Sequence, residues 1–313
     1  MREELIVSGR MNPHIDPQLH IWEWEIPLYL FLGGLAAGLM FFAALYYIQK
    51  KESVYETAVK KAPVIIPFAL IIGLLALFAD LNHKLYFWRL YTTIKFQSPM
   101  SWGAWVLMVA TPLSFIWVAL HIKTFFPKWD WKYKFLFILE DFFNKYKLQL
   151  AWLMLICSLV LGMYTGILFS AFNARPLWNT SILGPLFLTS GLSTGAATIM
   201  LISKSVQERR LFAKIDLILI GIEIFLIIHM FMGFLAGTQT QLDAVALFLG
   251  GPYTAVFWVF VVMLGMVIPA ILEIMELQNK HIPVLIPSVL VLMGGIILRF
   301  ILAYAGQVSR WLY

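Results

Sequence analysis

The sequence predicts an all-α, polytopic membrane protein whose eight transmembrane helices form two parallel four-helix bundles. Three observations carry this expectation. Of the 313 residues, 61% are hydrophobic and only 13% are charged, whereas roughly a quarter of the residues of a water-soluble domain carry charge. Eight runs of about 20 apolar residues, the length that crosses a bilayer, fall at 26–48, 63–82, 101–122, 149–170, 182–203, 214–235, 253–275 and 283–304. The motif Gly34-Leu-Ala-Ala-Gly38 in the first run returns as Gly191-Leu-Ser-Thr-Gly195 in the fifth, offset by 157 residues, which is half the chain. An offset of four helices brings the second copy into the membrane in the same direction as the first, hence parallel repeats. The same short match also suits a chance likeness between small-residue helices.

The domains read in order are an N-terminal segment 1–25, a first bundle 26–170, a second bundle 171–304 and a tail 305–313. The first segment holds Arg2, Glu3, Glu4, Arg10, Asp16, Glu23 and Glu25 with no apolar h-region. It is therefore expected to be retained, with helix 1 directing insertion. Gly34 with Gly38, and Gly191 with Gly195, form G-x-x-x-G pairs that let helix backbones approach closely in a bilayer. The connection 125–148 mixes Trp129, Trp131 and Tyr133 with lysines and reads as an interfacial segment in contact with membrane lipid.

Charge orients the spans. With the boundary residue Lys214 counted in the connection before it, the odd-numbered connections carry 15 Lys and Arg, and the termini with the even-numbered connections carry 7. The positive-inside rule then places the odd connections in the cytoplasm and both termini outside, as in a bacterial or archaeal cytoplasmic (inner) membrane. A net charge of +6 assembled from membrane-flanking side chains argues topology and lipid contact and excludes a nucleic-acid-binding role. The single cysteine, Cys157, excludes an intrachain disulfide and an iron–sulfur cluster held by this chain.

A charged side chain in hydrocarbon costs at least ~2.5 kcal/mol and asks for a partner or a purpose. Counting ~1.5 Å per residue, polar side chains gather in the outer third: Tyr29 in helix 1, Asp80, Asn82 and His83 at the end of helix 2, Ser98 to Gly103 at the start of helix 3, Tyr164 and Thr165 in helix 4, His229 in helix 6 and Arg299 in helix 8. Such convergence suits an amphipathic molecule with hydrogen-bonding ends and an apolar body, and a quinone fits that description. Tyr29, Asp80, His83, Tyr164 and Arg299 are the candidate quinone-binding residues, and Tyr29, Asp80, His229 and Glu223 the candidates for proton transfer. The same side chains also suit interfacial caps, and Asp80 and Arg299 would relieve each other's desolvation as a pair. Glu223 lies about 18 Å from the outer end at ~1.5 Å per residue, with Glu273 and Glu276 further in. It reads equally as a relay group and as a protonated, hydrogen-bonded acid. Paired histidines could hold haem, but of His14, His20, His83, His121, His229 and His281 only His83 with His229 and His121 with His281 share a depth. No haem and no metal are expected.

The blocks Trp24-Glu-Ile-Pro-Leu-Tyr29 through Gly38, Asp80-Leu…Ser98-Pro-Met-Ser101-Trp102-Gly103, Tyr164-Thr165-Gly166…Pro176-Leu-Trp178-Asn179 and Leu298-Arg299-Phe300…Gly306-Gln307 resemble the NrfD/PsrC family of quinone-interacting membrane subunits. The likeness runs from Trp22 to about Gln307. It implies eight helices in two bundles, no haem, a site for quinone (menaquinone or ubiquinone) near the outer surface, and docking of an extracytoplasmic four-cluster iron–sulfur subunit. That subunit would exchange electrons with a molybdopterin catalytic subunit of the polysulfide, thiosulfate, tetrathionate or nitrite-linked kind. The chain would then be a haem-free, non-autonomous quinone-reactive subunit of a respiratory oxidoreductase complex. Where the polysulfide reductase member places an Asn and a His on helix 1, this sequence has Ile26 and Tyr29, so the resemblance makes the helix 1 donor a phenol. Tyr164 matches the family's quinone-contacting tyrosine, and Asp80 and His83 its outer polar cluster. A secondary transporter or ion-translocating protein using Glu223 is the alternative from another class, and a passive tether is a third.

Overall fold

The computed structural model describes residues 22–280 and 282–309, and all regular structure among them is helical. Eight helices are long and apolar enough to cross a membrane: α1 (Glu25–Ile48), α2 (Thr57–Asp80), α3 (Pro99–Leu120), α4 (Lys147–Ser170), α5 (Leu183–Ile202), α6 (Val206–Leu235), α7 (Val256–Leu277) and α8 (Leu285–Val308). The chain is thus a multi-pass membrane protein. Most of the N-terminal segment, His14, His20 and His281, and the tail beyond Ser309 lie outside the described residues.

Two spans start earlier than hydropathy places them. α2 begins six residues sooner with a wide turn over Thr57–Lys61 and a tight one over Ala62–Val64, and its two lysines are the reason an apolar count excludes that turn. α6 begins at Val206, where the Ser205 hydroxyl accepts the Glu208 N–H at 3.4 Å and caps the helix. Its first turns carry Glu208, Arg209, Arg210 and Lys214, which again hide a helix from an apolar count. The 125–148 connection contains an amphipathic helix, Lys134–Lys145, that leaves Phe135, Phe137, Ile138 and Phe142 uncovered, as an interfacial helix requires.

The molecule is built round a crossing of α1 and α5. α1 packs on α2, α4, α5 and α8, and α5 packs on α1, α4, α6 and α8, while α3 leans on α4 and α7 on α8. Glycine makes the crossing possible. A Cβ on Gly191 would sit 2.7 Å from the Gly34 carbonyl oxygen, one on Gly195 would sit 2.7 Å from the Gly38 carbonyl carbon, and one on Gly38 would overlap the Gly191 carbonyl. A second seam joins α7 to α8, where a Cβ on Gly265 would lie 2.6 Å from the Gly294 Cα. Neither glycine belongs to a G-x-x-x-G motif. At the end of the bundle where α1 begins and α8 ends, Trp22, Phe169 and Trp178 cluster with ring centroids 4.7 to 5.6 Å apart. The Trp178 indole donates to the Leu302 carbonyl at 2.8 Å, and Gly306 leaves room for that ring. Gln307 exchanges two hydrogen bonds with the Trp22 backbone at 2.9 and 2.8 Å. The aromatic N-terminal block and the last residues of α8 are therefore one structural unit.

Candidate functional site

The candidate site forms where α1, α2, α3 and α4 approach the segment that joins α2 to α3. Tyr29 is buried on α1 and packs beside Gly73 of α2, where a Cβ would lie 3.4 Å from its ring. Tyr164 of α4 is buried too, and its ring occupies the space that a side chain at Gly103 of α3 would fill. The two phenols face each other, and Tyr91 from the joining segment faces Tyr29 as a third. The Tyr29 hydroxyl is buried and has the Tyr164 hydroxyl as a polar neighbour, with which it interacts without meeting full hydrogen-bond geometry. Burial also raises the Tyr91 phenol above its ordinary range, so at neutral pH it is a donor.

Beside this trio lies an apolar cavity of about 480 Å³, lined by α2 residues including Ile71, Leu74 and Phe78, by Phe87 and Leu90, and by Tyr91 at its edge. A second, polar depression of about 490 Å³ adjoins it through Leu81 and is lined by Asp80, Asn82 and His83. Both volumes lie in the range of small-molecule sites. Glu23 and Glu25 lie close enough to Asp80 to act on it electrostatically, giving the depression an acidic rim. Apolar walls with the Tyr91 phenol in one depression, and a carboxylate and an imidazole in the adjoining one, offer an amphipathic carbonyl compound a donor for its oxygens and groups that carry protons between them and water.

The remaining candidates stand elsewhere. His229 is exposed on the outward face of α6, stacked on Phe225 with centroids 6.0 Å apart. Arg299 is fully buried and sits deeper, against Gly34, which is five residues or about 7.5 Å along the helix from Tyr29. The expected Asp80–Arg299 pair does not form. Arg299 donates instead to the Ser190 hydroxyl, to the Gly295 carbonyl at 2.9 Å and to the Phe187 carbonyl at 3.2 Å, and lies 5.0 Å from the Phe187 ring centroid. Glu223, buried on α6, approaches Ser190 from the other side and is the acid that Arg299 faces. Both helices are apolar all round, so hydropathy gave their depth but not the direction of either side chain. Tyr91 and Glu25 were missed. Tyr91 lies in a segment with no periodicity, and only its proximity in sequence to Asp80 and His83 hints at it.

Eight apolar helices, a glycine-welded centre and an apolar cavity with Tyr91 in its wall define a polytopic membrane protein with a candidate small-molecule site towards one end of the bundle. Residues 12–309 match the family model of polysulphide reductase, NrfD, and the chain belongs to that NrfD family. It is 31% identical to protein NrfD of Escherichia coli over 92% of this chain and 96% of that one. It is likewise 31% identical to a polysulfide reductase chain of Wolinella succinogenes, over 92% and 94%. A tetrathionate reductase subunit of Salmonella typhimurium is 31% identical over 52% of this chain and 43% of its own.

Proposed function

We propose that this chain is the membrane-embedded, quinone-reactive subunit of a respiratory reductase complex, without haem of its own. The observation that carries the reading is the Tyr29–Tyr91–Tyr164 trio beside a 480 Å³ apolar cavity, next to Asp80 and His83. Membership of a family whose relatives bear the names of polysulfide and tetrathionate reductase subunits supports it. A quinone brings two-electron, two-proton chemistry to such a site when bound. The phenols donate hydrogen bonds that orient the carbonyls, while Asp80 and His83 carry protons between the site and the nearby surface.

On this reading the complex lies in a bacterial or archaeal cytoplasmic membrane with both termini outside. The helices divide into two four-helix bundles that meet at the α1–α5 crossing. An extracytoplasmic four-cluster iron–sulfur subunit docks over the site and passes electrons to or from a molybdopterin subunit. A secondary transporter using Glu223 would leave the tyrosine trio and the depression lined by Asp80 and His83 without a use. The test is titration of the full chain in lipid nanodiscs with a quinone analogue, read by quenching of the tryptophans. Saturable quenching that weakens in Tyr164→Phe and Asp80→Asn, with melting temperature unchanged, supports the reading. Quenching identical in both variants removes this site.

A further inference from the structure

The candidate site leaves one group of buried acids unused. Asp216 on α6 and Glu273 on α7 are both fully buried, and their carboxyls lie against each other. The Ser193 hydroxyl of α5 donates to Asp216 Oδ1 at 2.5 Å, whereas Asp216 Oδ2 and both Glu273 oxygens are buried without a fully formed hydrogen bond. Such unpartnered carboxyl oxygens ask for a proton or a cation. The charged and polar groups that face them are few. From α5 comes Ser193, from α6 Glu223, and from α7 Glu276, which Arg209 and Arg210 of α6 offset. Among the described residues no three His, Cys, Asp or Glu side chains group as metal ligands.

Two ionised carboxylates held against each other repel, before either desolvation cost is counted. Protons remove both terms. With two protons the pair is neutral. After giving one up it keeps a single proton shared between the carboxyls, with Ser193 still donating to the remaining charge. The pair can therefore exchange one proton without leaving an isolated charge in the bilayer.

Its neighbours define a route. Glu276, one turn beyond Glu273, is half-buried near the end of α7. On the other side Ser190 stands one turn from Ser193 along α5, about 4.5 Å, and touches both Glu223 and Arg299. We propose that Asp216 and Glu273 form a proton-holding site that is loaded through Glu276 from the α6–α7 end of the bundle opposite the candidate site, and that hands its proton to Glu223. Protons for the candidate site would then be drawn across the membrane. That last use rests on the quinone reading above; the proton-holding pair does not.

Infrared spectroscopy of the full chain in lipid nanodiscs tests the pair without a substrate. A carbonyl band of buried protonated carboxyl is expected near neutral pH, and part of it is lost in Asp216→Asn and again in Glu273→Gln, with tryptophan fluorescence confirming a native fold. On transfer to heavy water the isotope shift of that band should slow at least about a hundredfold in Glu276→Gln, the lower end of what one positioned acid–base group contributes. A band unchanged in both pair variants overturns the proposal, as does one that appears only when sodium is removed, because the site would then hold a cation. An unchanged isotope shift in Glu276→Gln overturns loading through Glu276. If the quinone analogue fails to bind while the band behaves as expected, the quinone reading falls and the proton-holding pair stands.

Discussion

The α1–α5 crossing makes a prediction that can be graded glycine by glycine. A Cβ placed on Gly191 lies 2.7 Å from the Gly34 carbonyl oxygen and 3.1 Å from its Cα. Ordinary van der Waals contact begins near 3.4 Å, so the helices must separate by about 0.7 Å, and backbone on both sides leaves nothing flexible to yield. A gap of 0.5–1 Å forfeits a quarter to a half of each contact's attraction. Over a crossing at the centre of the molecule, Gly191→Ala should cost about 1–3 kcal/mol, the range for overpacking, and Gly38→Ala at least as much. Gly34→Ala is milder, since its Cβ meets the Arg299 guanidinium at 3.3 Å and Gly191 Cα at 3.6 Å, and the guanidinium can shift. Gly221 and Gly233 of α6 have nothing within 4 Å, so Ala there should be neutral or stabilising by up to about 1 kcal/mol through helix propensity. Melting of the purified variants, followed by size exclusion after heating, gives the ranking. If Gly191→Ala melts with Gly221→Ala, the crossing is not the weld described here.

Three further outcomes follow from the same coordinates. Arg299→Ala leaves Glu223 buried without its cation and should lose about 3–5 kcal/mol. The double variant Arg299→Ala, Glu223→Gln should recover part of that loss, and a double-mutant cycle on melting temperature measures the coupling. His121, outside the spans at the end of α3, is lowered from 6.5 to about 4 by burial and then by Lys147, although its Nε2 is 3.7 Å from a Glu52 oxygen. Below pH 6.5 the unfolded chain takes up a proton that the folded chain refuses until about pH 4. Stability should therefore be level above 6.5 and fall by up to about 3 kcal/mol between 6.5 and 4, and His121→Asn should flatten that dependence in a melting series across pH. Gly306→Ala should displace the Trp178 ring and break its bond to Leu302, which a shift in tryptophan emission would report.

What the sequence disclosed and what it hid divide along physical lines. Apolar length marked all eight spans, because a bilayer imposes it, and the two G-x-x-x-G pairs marked where backbones approach closely, but only the structure shows that the pairs face each other across α1 and α5. Charge at helix ends hid the first turns of α2 and α6. The Gly265–Gly294 seam uses one glycine from each helix, so no spacing within either helix announces it. Depth grouped Tyr29, Tyr164, Asp80 and His83, and the structure sets Tyr29 against Tyr164 and Asp80 in one depression with His83. Depth placed Arg299 with them as well, but the structure turns it towards Ser190 and Glu223, since an all-apolar helix carries no record of which side faces which neighbour. Asp216 was missed because it stands near the charged start of α6, where an acid reads as a solvated end.

The central claim is that the cavity between α2 and the 81–91 segment receives a quinone. The most direct measurement is photolabelling in native membranes with a light-activated quinone analogue, followed by peptide mapping. The account predicts label on residues of 71–91 and on the peptides carrying Tyr29 or Tyr164, competed away by unmodified quinone. A comparable cleft of about 450 Å³ between the α7 and α8 ends, lined by Tyr253, Phe300 and Tyr304, supplies the contrary result: competed label confined to that cleft would contradict the account.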